Sequence, residues 1–89
     1  MTAKAKRTLR TRKNGRDNIC GLEIAKRRNA NEPHITQKDL AEKLQLLGMD
    51  VDKNAIHMIE KGKRFVTDIE LEYFAKVFGI SIADLYPKE

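Results

Sequence analysis

The chain has 89 residues, 40% hydrophobic and 35% charged, with 18 Lys and Arg against 13 Asp and Glu for a net charge of +5. That length suits one small domain, most domains holding roughly 100–150 residues, and it excludes a large substrate cleft. No apolar run nears the ~20 residues of a membrane span, and the single cysteine, Cys20, with only His34 and His57 beside it, excludes a disulfide framework and any four-ligand zinc site built without carboxylates.

The charge is unevenly placed. Residues 1–17 hold seven basic groups and one acidic, a balance of +6, while the remaining 72 residues hold 11 basic and 12 acidic, a balance of −1. Residues 1–18 read as a basic, disordered N-terminal tail, since Leu9 is the one sizeable apolar side chain there and burial cannot offset the entropy of ordering it. Such a tail most often meets nucleic-acid phosphates, here through Arg7, Arg10, Arg12 and Lys13; an acidic membrane surface, or no partner at all, are the alternatives at this point.

From residue 19 to residue 89 the pattern is helical, with apolar residues recurring at spacings of three and four. A first helix is predicted from about Ile19 to Asn29, with Leu22, Ala25 and Ile19 inward; Pro33 pushes Glu32 out of helical geometry. Thr36 reads as the N-cap of the second helix, with Asp39 three residues on completing a capping box. Leu40, Ala41, Leu44 and Leu47 share one face of that helix, and Gly48 suits the left-handed residue that closes it. A third helix starts after Asp52, with Asp50 as the other candidate cap, and stops at Gly62. Thr67 and Glu70 form a second box, opening a helix whose Leu71, Phe74, Ala75 and Phe78 make one stripe before Gly79. Ser81 and Asp84 open a short fifth helix that Pro87 ends. Caps and periodicity agree at three boundaries, which predicts an all-α fold of five short helices.

On a wheel turning about 100° per residue, Ala55, Ile56 and Ile59 fall together and define the buried side of the third helix. Lys53, Asn54, His57, Met58 and Lys61 fill the opposite side. A solvated surface would look like this too. The same side chains nevertheless supply what base-edge reading needs: Asn bonds adenine bidentately, Lys donates to guanine, and an apolar group meets the thymine methyl.

The neighbouring segments narrow the choice. Thr36-Gln37-Lys38-Asp39-Leu40-Ala41, followed by Ile56-His57-Met58-Ile59-Glu60-Lys61-Gly62-Lys63-Arg64, resembles the helix-turn-helix of the Cro and phage-repressor (Xre-like) family, with its T-Q-x-x-L-A and I-x-x-I-E-x-G-K-R patterns. The stretch from Thr67 to Leu85 also resembles that family's fourth and fifth helices, so the likeness runs from about Ile19 to Tyr86. It implies a compact five-helix repressor-like domain that binds double-stranded DNA. Lys53, Asn54, His57 and Met58 would face the major groove. Gln37 would contact a phosphate or brace a recognition residue, with Lys38 also at the backbone. Lys61, Lys63 and Arg64, with nearby backbone amides, would hold phosphates, consistent with the affinity of helix-terminal N–H groups for anions. Glu60 and Ala41 would be structural.

One departure is clear. Ala41 and Ile56 are five residues further apart than the family's pattern, the segment Leu46–Asp50 being an insertion. It is expected to lengthen the second helix by a turn and add a loop, with Leu47 and Met49 covering the core. The loop between the first two helices, Ala30–Ile35, is long as well.

No nucleophile–base constellation, glycine-rich phosphate loop or pair of carboxylates on a covered face is present, so no enzyme is expected, and no cofactor, metal or small-molecule ligand. Cys20 reads as a small side chain and His34 as a loop residue within reach of a phosphate. The expected protein is a cytoplasmic transcriptional regulator, a repressor, nucleoid-associated when bound to DNA. The alternative is a protein-interaction adaptor, or an antitoxin-type partner whose basic tail touches nucleic acid non-specifically. Members of the family usually bind two half-sites as dimers. Tyr73, Val77, Ile80, Ile82, Leu85 and Tyr86 lie beyond the single core stripe, and the last two, with nothing after them to cover them, predict a weak homodimer through the C-terminal helix.

Overall fold

The computed structural model describes residues 12–87. Four α-helices follow one another: α1 (Gly21–Ala30), α2 (Gln37–Leu47), α3 (Lys53–Glu60) and α4 (Asp68–Phe78). The predicted fifth helix is a single 3-10 turn, Ile82–Leu85. Among the described residues no helix is long and apolar enough to cross a membrane.

The capping chemistry explains the boundaries. At α2 the Thr36 hydroxyl accepts the Asp39 amide at 3.0 Å while the Asp39 carboxylate accepts the Thr36 amide at 3.2 Å. At α4 Thr67 and Glu70 repeat the exchange at 3.1 and 3.0 Å. These boxes satisfy amide donors that the first helical turn leaves open. Gly48 and Gly79 end α2 and α4 in the left-handed region, φ +104° and +67°. Asp52, not Asp50, caps α3, its Oδ1 accepting the Ala55 amide at 2.8 Å. At the last turn Asp84 accepts both the Ser81 amide (3.3 Å) and hydroxyl (3.2 Å).

Phe74, Ile24, Leu40, Leu44, Ile56, Ile59 and Leu85 are fully buried, joined by Cys20, Ile35, Ala41, Met49, Val51, Leu71 and Ala75. Three expectations need correction. In α1 the inward residue is Ile24, whereas Leu22 is 56% exposed and Ile19 and Ala25 are half-buried. The cause is a close approach of backbones: a Cβ on Gly21 would overlap the Ile59 carbonyl oxygen, so Gly21 faces α3, and Ile24 three residues on shares that face. In the inserted segment Met49 covers the core as expected, but Leu47 is exposed and Leu46 is 88% exposed. The extra turn carries them past the edge of the core. The chain then doubles back at Gly48, with the Met49 amide on the Leu44 carbonyl (3.0 Å) and Gln45 Nε2 on the Val51 carbonyl (2.7 Å), which seats Met49 and Val51 instead. Leu85, expected at an exposed edge, is fully buried because the 3-10 turn folds back onto α4 and α1; Tyr86 remains 44% exposed. Tyr73, Val77, Phe78, Ile80 and Ile82 pack half-buried against the core.

Part of the expected tail, residues 1–11, lies outside the described residues. The rest, residues 12–18, reverses at Lys13–Arg16, where the Lys13 and Arg16 backbones exchange hydrogen bonds of 3.0 and 2.9 Å. Asn14 (φ +55°) and Gly15 (φ +75°) supply the two positive-φ positions that a tight Asn-Gly turn requires. Beyond it the Asp17 amide donates to the Gly62 carbonyl at 2.7 Å, while Asn18 is buried. The boundary expected between residues 18 and 19 thus falls inside a bonded stretch. Weighing apolar burial alone missed it, because the order here comes from polar anchors rather than from hydrophobic contact.

Candidate nucleic-acid interface

The buried side of α3 is made by Ile56 and Ile59, both fully enclosed, with Ala55 half-buried beside them. This fixes the rotation of the helix and turns Lys53, Asn54, His57 and Met58 outward together, all four exposed. The inserted segment has therefore not rotated them inward. Lys38 is exposed on the first turn of α2, and Gln37 beside it is half-buried.

Glu60, the last residue of α3, is the hub that orients the helix. Arg28 of α1 grips its carboxylate with two bonds, Nε to Oε2 at 2.7 Å and Nη2 to Oε1 at 3.0 Å. Gln37 Nε2 donates to Oε1 at 3.0 Å, and the third arm of Arg28 reaches the Ile35 carbonyl at 3.1 Å. The Arg28 and Glu60 side chains are only 11% and 9% exposed. Their desolvation is offset by the bidentate geometry and the further hydrogen bonds. Gln37 is thus engaged with Glu60, a residue expected to be structural rather than base-reading, and Glu60 faces the interior.

The turn after α3 closes on itself. The amides of Lys61, Gly62 and Lys63 donate to the carbonyls of His57 (3.0 Å), Ile59 (3.0 Å) and Met58 (2.8 Å), with Gly62 in the left-handed region at φ +78°. Those amides are occupied in ending the helix and do not face an incoming phosphate. The Lys61 and Lys63 side chains are exposed. Arg64, expected at a phosphate, is 31% exposed and has partners within the fold: it bonds Glu70 bidentately at 3.2 and 3.0 Å, and Nη1 also meets the Phe65 carbonyl at 2.9 Å. Glu70 is within reach because it is already fixed as the third residue of the α4 capping box. Partial burial pushes the Glu70 pKa up, but the Arg64 hydrogen bonds and the Thr67 amide outweigh this and hold it below the usual glutamate value.

At the far end of α3 two residues that sequence reasoning passed over carry much of the geometry. Arg16 Nη2 donates to the Glu60 carbonyl at 2.9 Å and, longer, to that of Ile59 at 3.4 Å. Asn18 Nδ2 donates to the carbonyls of Ile59 (3.0 Å) and Arg64 (2.8 Å), and its Oδ1 accepts the Gly21 amide at 2.8 Å. The Asn-Gly pair at 14–15 was the available signal that the chain turns there. Of the tail residues, Arg7 and Arg10 lie outside the described residues, Arg12 pairs with Asp17 at 2.9 Å, and Lys13 is exposed at the reversal.

The remaining candidates carry less. Burial pushes the Cys20 thiol up to about 11, so it stays protonated, and His34 is exposed in its loop. Among the described residues no group of three or more His, Cys, Asp or Glu is placed to hold a metal ion.

Compared with known proteins, residues 24–85 match a family model described as helix-turn-helix, a stretch running from the first core residue of α1 to the last of the 3-10 turn. No curated protein and no solved structure matches the chain.

Proposed function

Since the chain belongs to the Cro and phage-repressor (Xre-like) helix-turn-helix family of DNA-binding domains, we propose that it is a sequence-specific double-stranded-DNA-binding transcriptional regulator, acting as a repressor and reading the major groove with α3. One observation carries the reading: Lys53, Asn54, His57 and Met58 stand exposed on a helix whose opposite side packs into the core through Ile56 and Ile59. A helix of this width fits the major groove, where these side chains meet base edges and the exposed Lys38, Lys61 and Lys63 meet phosphates. The test is selection of bound sequences from random duplex DNA by the full chain. An enriched motif that loses information at one position in Asn54→Ala supports the reading. Binding without enrichment would favour the adaptor or antitoxin-type alternative, in which the tail touches nucleic acid non-specifically.

A single eight-residue recognition helix reaches few base pairs, which favours two copies on half-sites about 34 Å apart. Leu85 is core, so Tyr86, the large exposed side chain just past the last turn, is the one we assign to joining them. Sedimentation of Tyr86→Glu on a palindromic site tests this, and one protomer per site in the wild type would refute it.

A further inference from the structure

The carbonyls of Ile59, Glu60, Gly62 and Arg64 bracket Lys61 and Lys63 on both sides. All four accept hydrogen bonds from three consecutive residues of the N-terminal segment: Ile59 and Glu60 from Arg16, Gly62 from the Asp17 amide, and Ile59 and Arg64 from Asn18. Asn18 is buried and also takes the Gly21 amide, so one side chain ties the start of α1 to both sides of the turn. The Arg16 guanidinium lies over Gly62, where an added Cβ would come within 2.7 Å of Cζ.

We propose that Arg16 and Asn18 are positioning residues for DNA binding, which set the turn after α3 so that Lys61 and Lys63 both meet the phosphate backbone. Two physical effects combine. The last carbonyls of a helix carry partial negative charge, which would repel a phosphate brought to this end of α3; a guanidinium seated on two of them cancels much of that potential. Fixing the main chain on either side of each lysine also removes loop entropy that binding would otherwise have to remove. The same segment follows directly in sequence on residues 1–11, which hold Lys4, Lys6, Arg7 and Arg10.

The proposal rests on the reading that Lys61 and Lys63 touch DNA, and the experiment separates the two. The full chain is titrated against a fluorescently labelled random-sequence duplex at several salt concentrations, and the slope of log K against log salt is compared. Lys61→Ala/Lys63→Ala should flatten the slope by about 1.8, at about 0.9 for each phosphate no longer neutralised. Asn18→Ala removes no charge yet should flatten it by about 0.9 or more, and should add nothing to the double lysine variant. Arg16→Lys keeps the charge but not the fork, whose Nη2 reaches the Ile59 and Glu60 carbonyls while Nε donates to the Asn18 carbonyl at 3.1 Å, and should flatten the slope like Asn18→Ala. Folding is checked by circular dichroism and a cooperative melt; if Asn18→Ala fails it, Arg16→Lys decides. A folded Arg16→Lys protein with the wild-type slope overturns the proposal, and means that Arg16 touches phosphate directly if Arg16→Ala alone flattens it. An unchanged slope in the double lysine variant overturns the reading beneath it.

Discussion

Replacing Glu60 with alanine is the sharpest test of how α3 is held. The change leaves Arg28 as a guanidinium with two donors and a full charge uncompensated at a site where its side chain is 11% exposed, and it leaves Gln37 Nε2 without its acceptor. Removing one partner of a buried pair costs about 3–5 kcal/mol, because the remaining charge keeps its desolvation penalty without the attraction that offset it. The bond from Arg28 to the Ile35 carbonyl survives and favours the lower half of that range. A domain of this size has only ~4–11 kcal/mol in hand at 0.05–0.15 kcal/mol per residue, so the variant should lose a large share of its stability. Urea titration followed by circular dichroism measures the loss. The melting temperature should fall by more than about 12 °C, at 4–8 °C per kcal/mol. The double variant Arg28→Met/Glu60→Leu, which removes both charges and keeps the volume, should lose far less than the two single changes summed. A loss below about 1 kcal/mol in Glu60→Ala, typical of a solvated surface pair, would refute the view that this cluster is sealed from water.

Four further outcomes follow from the same geometry. Deleting residues 1–11, with four basic groups, should weaken binding to all duplexes alike and flatten the salt slope by up to about 3.6; a changed sequence preference would mean that the arm reads bases. Cys20, buried with its thiol pushed up to about 11, should resist a disulfide reagent at pH 7 until urea unfolds the chain, since only about one thiol in 10⁴ is then ionised; prompt labelling of the folded protein would contradict this. Asp39 and Glu70 are both held below their ordinary carboxylate values, so they stabilise the fold above those values, near pH 4–4.5, and the contribution is lost as pH falls through the lower folded-state values; the urea midpoint against pH should fall there, less steeply in Glu70→Gln. Gly21→Ala should destabilise by about 1–3 kcal/mol or more, because its methyl meets backbone rather than a side chain that can swing away, and a near-neutral melt would show that α1 and α3 can separate at little cost.

What could be read from the sequence was whatever is local. The capping boxes at Thr36 and Thr67 and the closing glycines at 48 and 79 depend on neighbours three or four residues away, and the structure has them in place. The outward arc of α3 was legible for the same reason, since a helix with two isoleucines three apart has one side to bury. The errors come from contacts beyond that span, from five or six residues away to several tens. Leu22 against Ile24 was decided by the approach of Gly21 to Ile59, 38 positions along the chain, which no helical wheel contains. Arg64 was assigned to phosphate from its place in a motif, which does not show that it also pairs with Glu70 across the turn into α4. Arg16 and Asn18 were counted as tail because they are polar, and polar anchoring leaves no hydrophobic period to detect.

The division of labour between the two kinds of basic residue bears directly on how this protein would recognise DNA. Every arginine among the described residues has a partner within the fold: Arg12 with Asp17, Arg16 with the α3 carbonyls, Arg27 with Glu23, Arg28 with Glu60 and Arg64 with Glu70. The lysines of α2, α3 and the following turn, Lys38, Lys43, Lys53, Lys61 and Lys63, are all exposed. The guanidinium fork suits carboxylate and carbonyl geometry and is weakly hydrated, while an ammonium is strongly hydrated and stays at the surface. Among the described residues, the face proposed to meet DNA therefore offers point charges, which hold a backbone but discriminate bases less sharply, and no exposed arginine free of a partner to read guanine bidentately. Discrimination then falls on Asn54, whose amide can bond adenine twice, with Lys53, His57 and Met58 around it. Accordingly the enriched motif should center on an adenine rather than a guanine step, and a site whose information lies mainly in guanines would point to Lys53 or to the arginines of residues 1–11 instead.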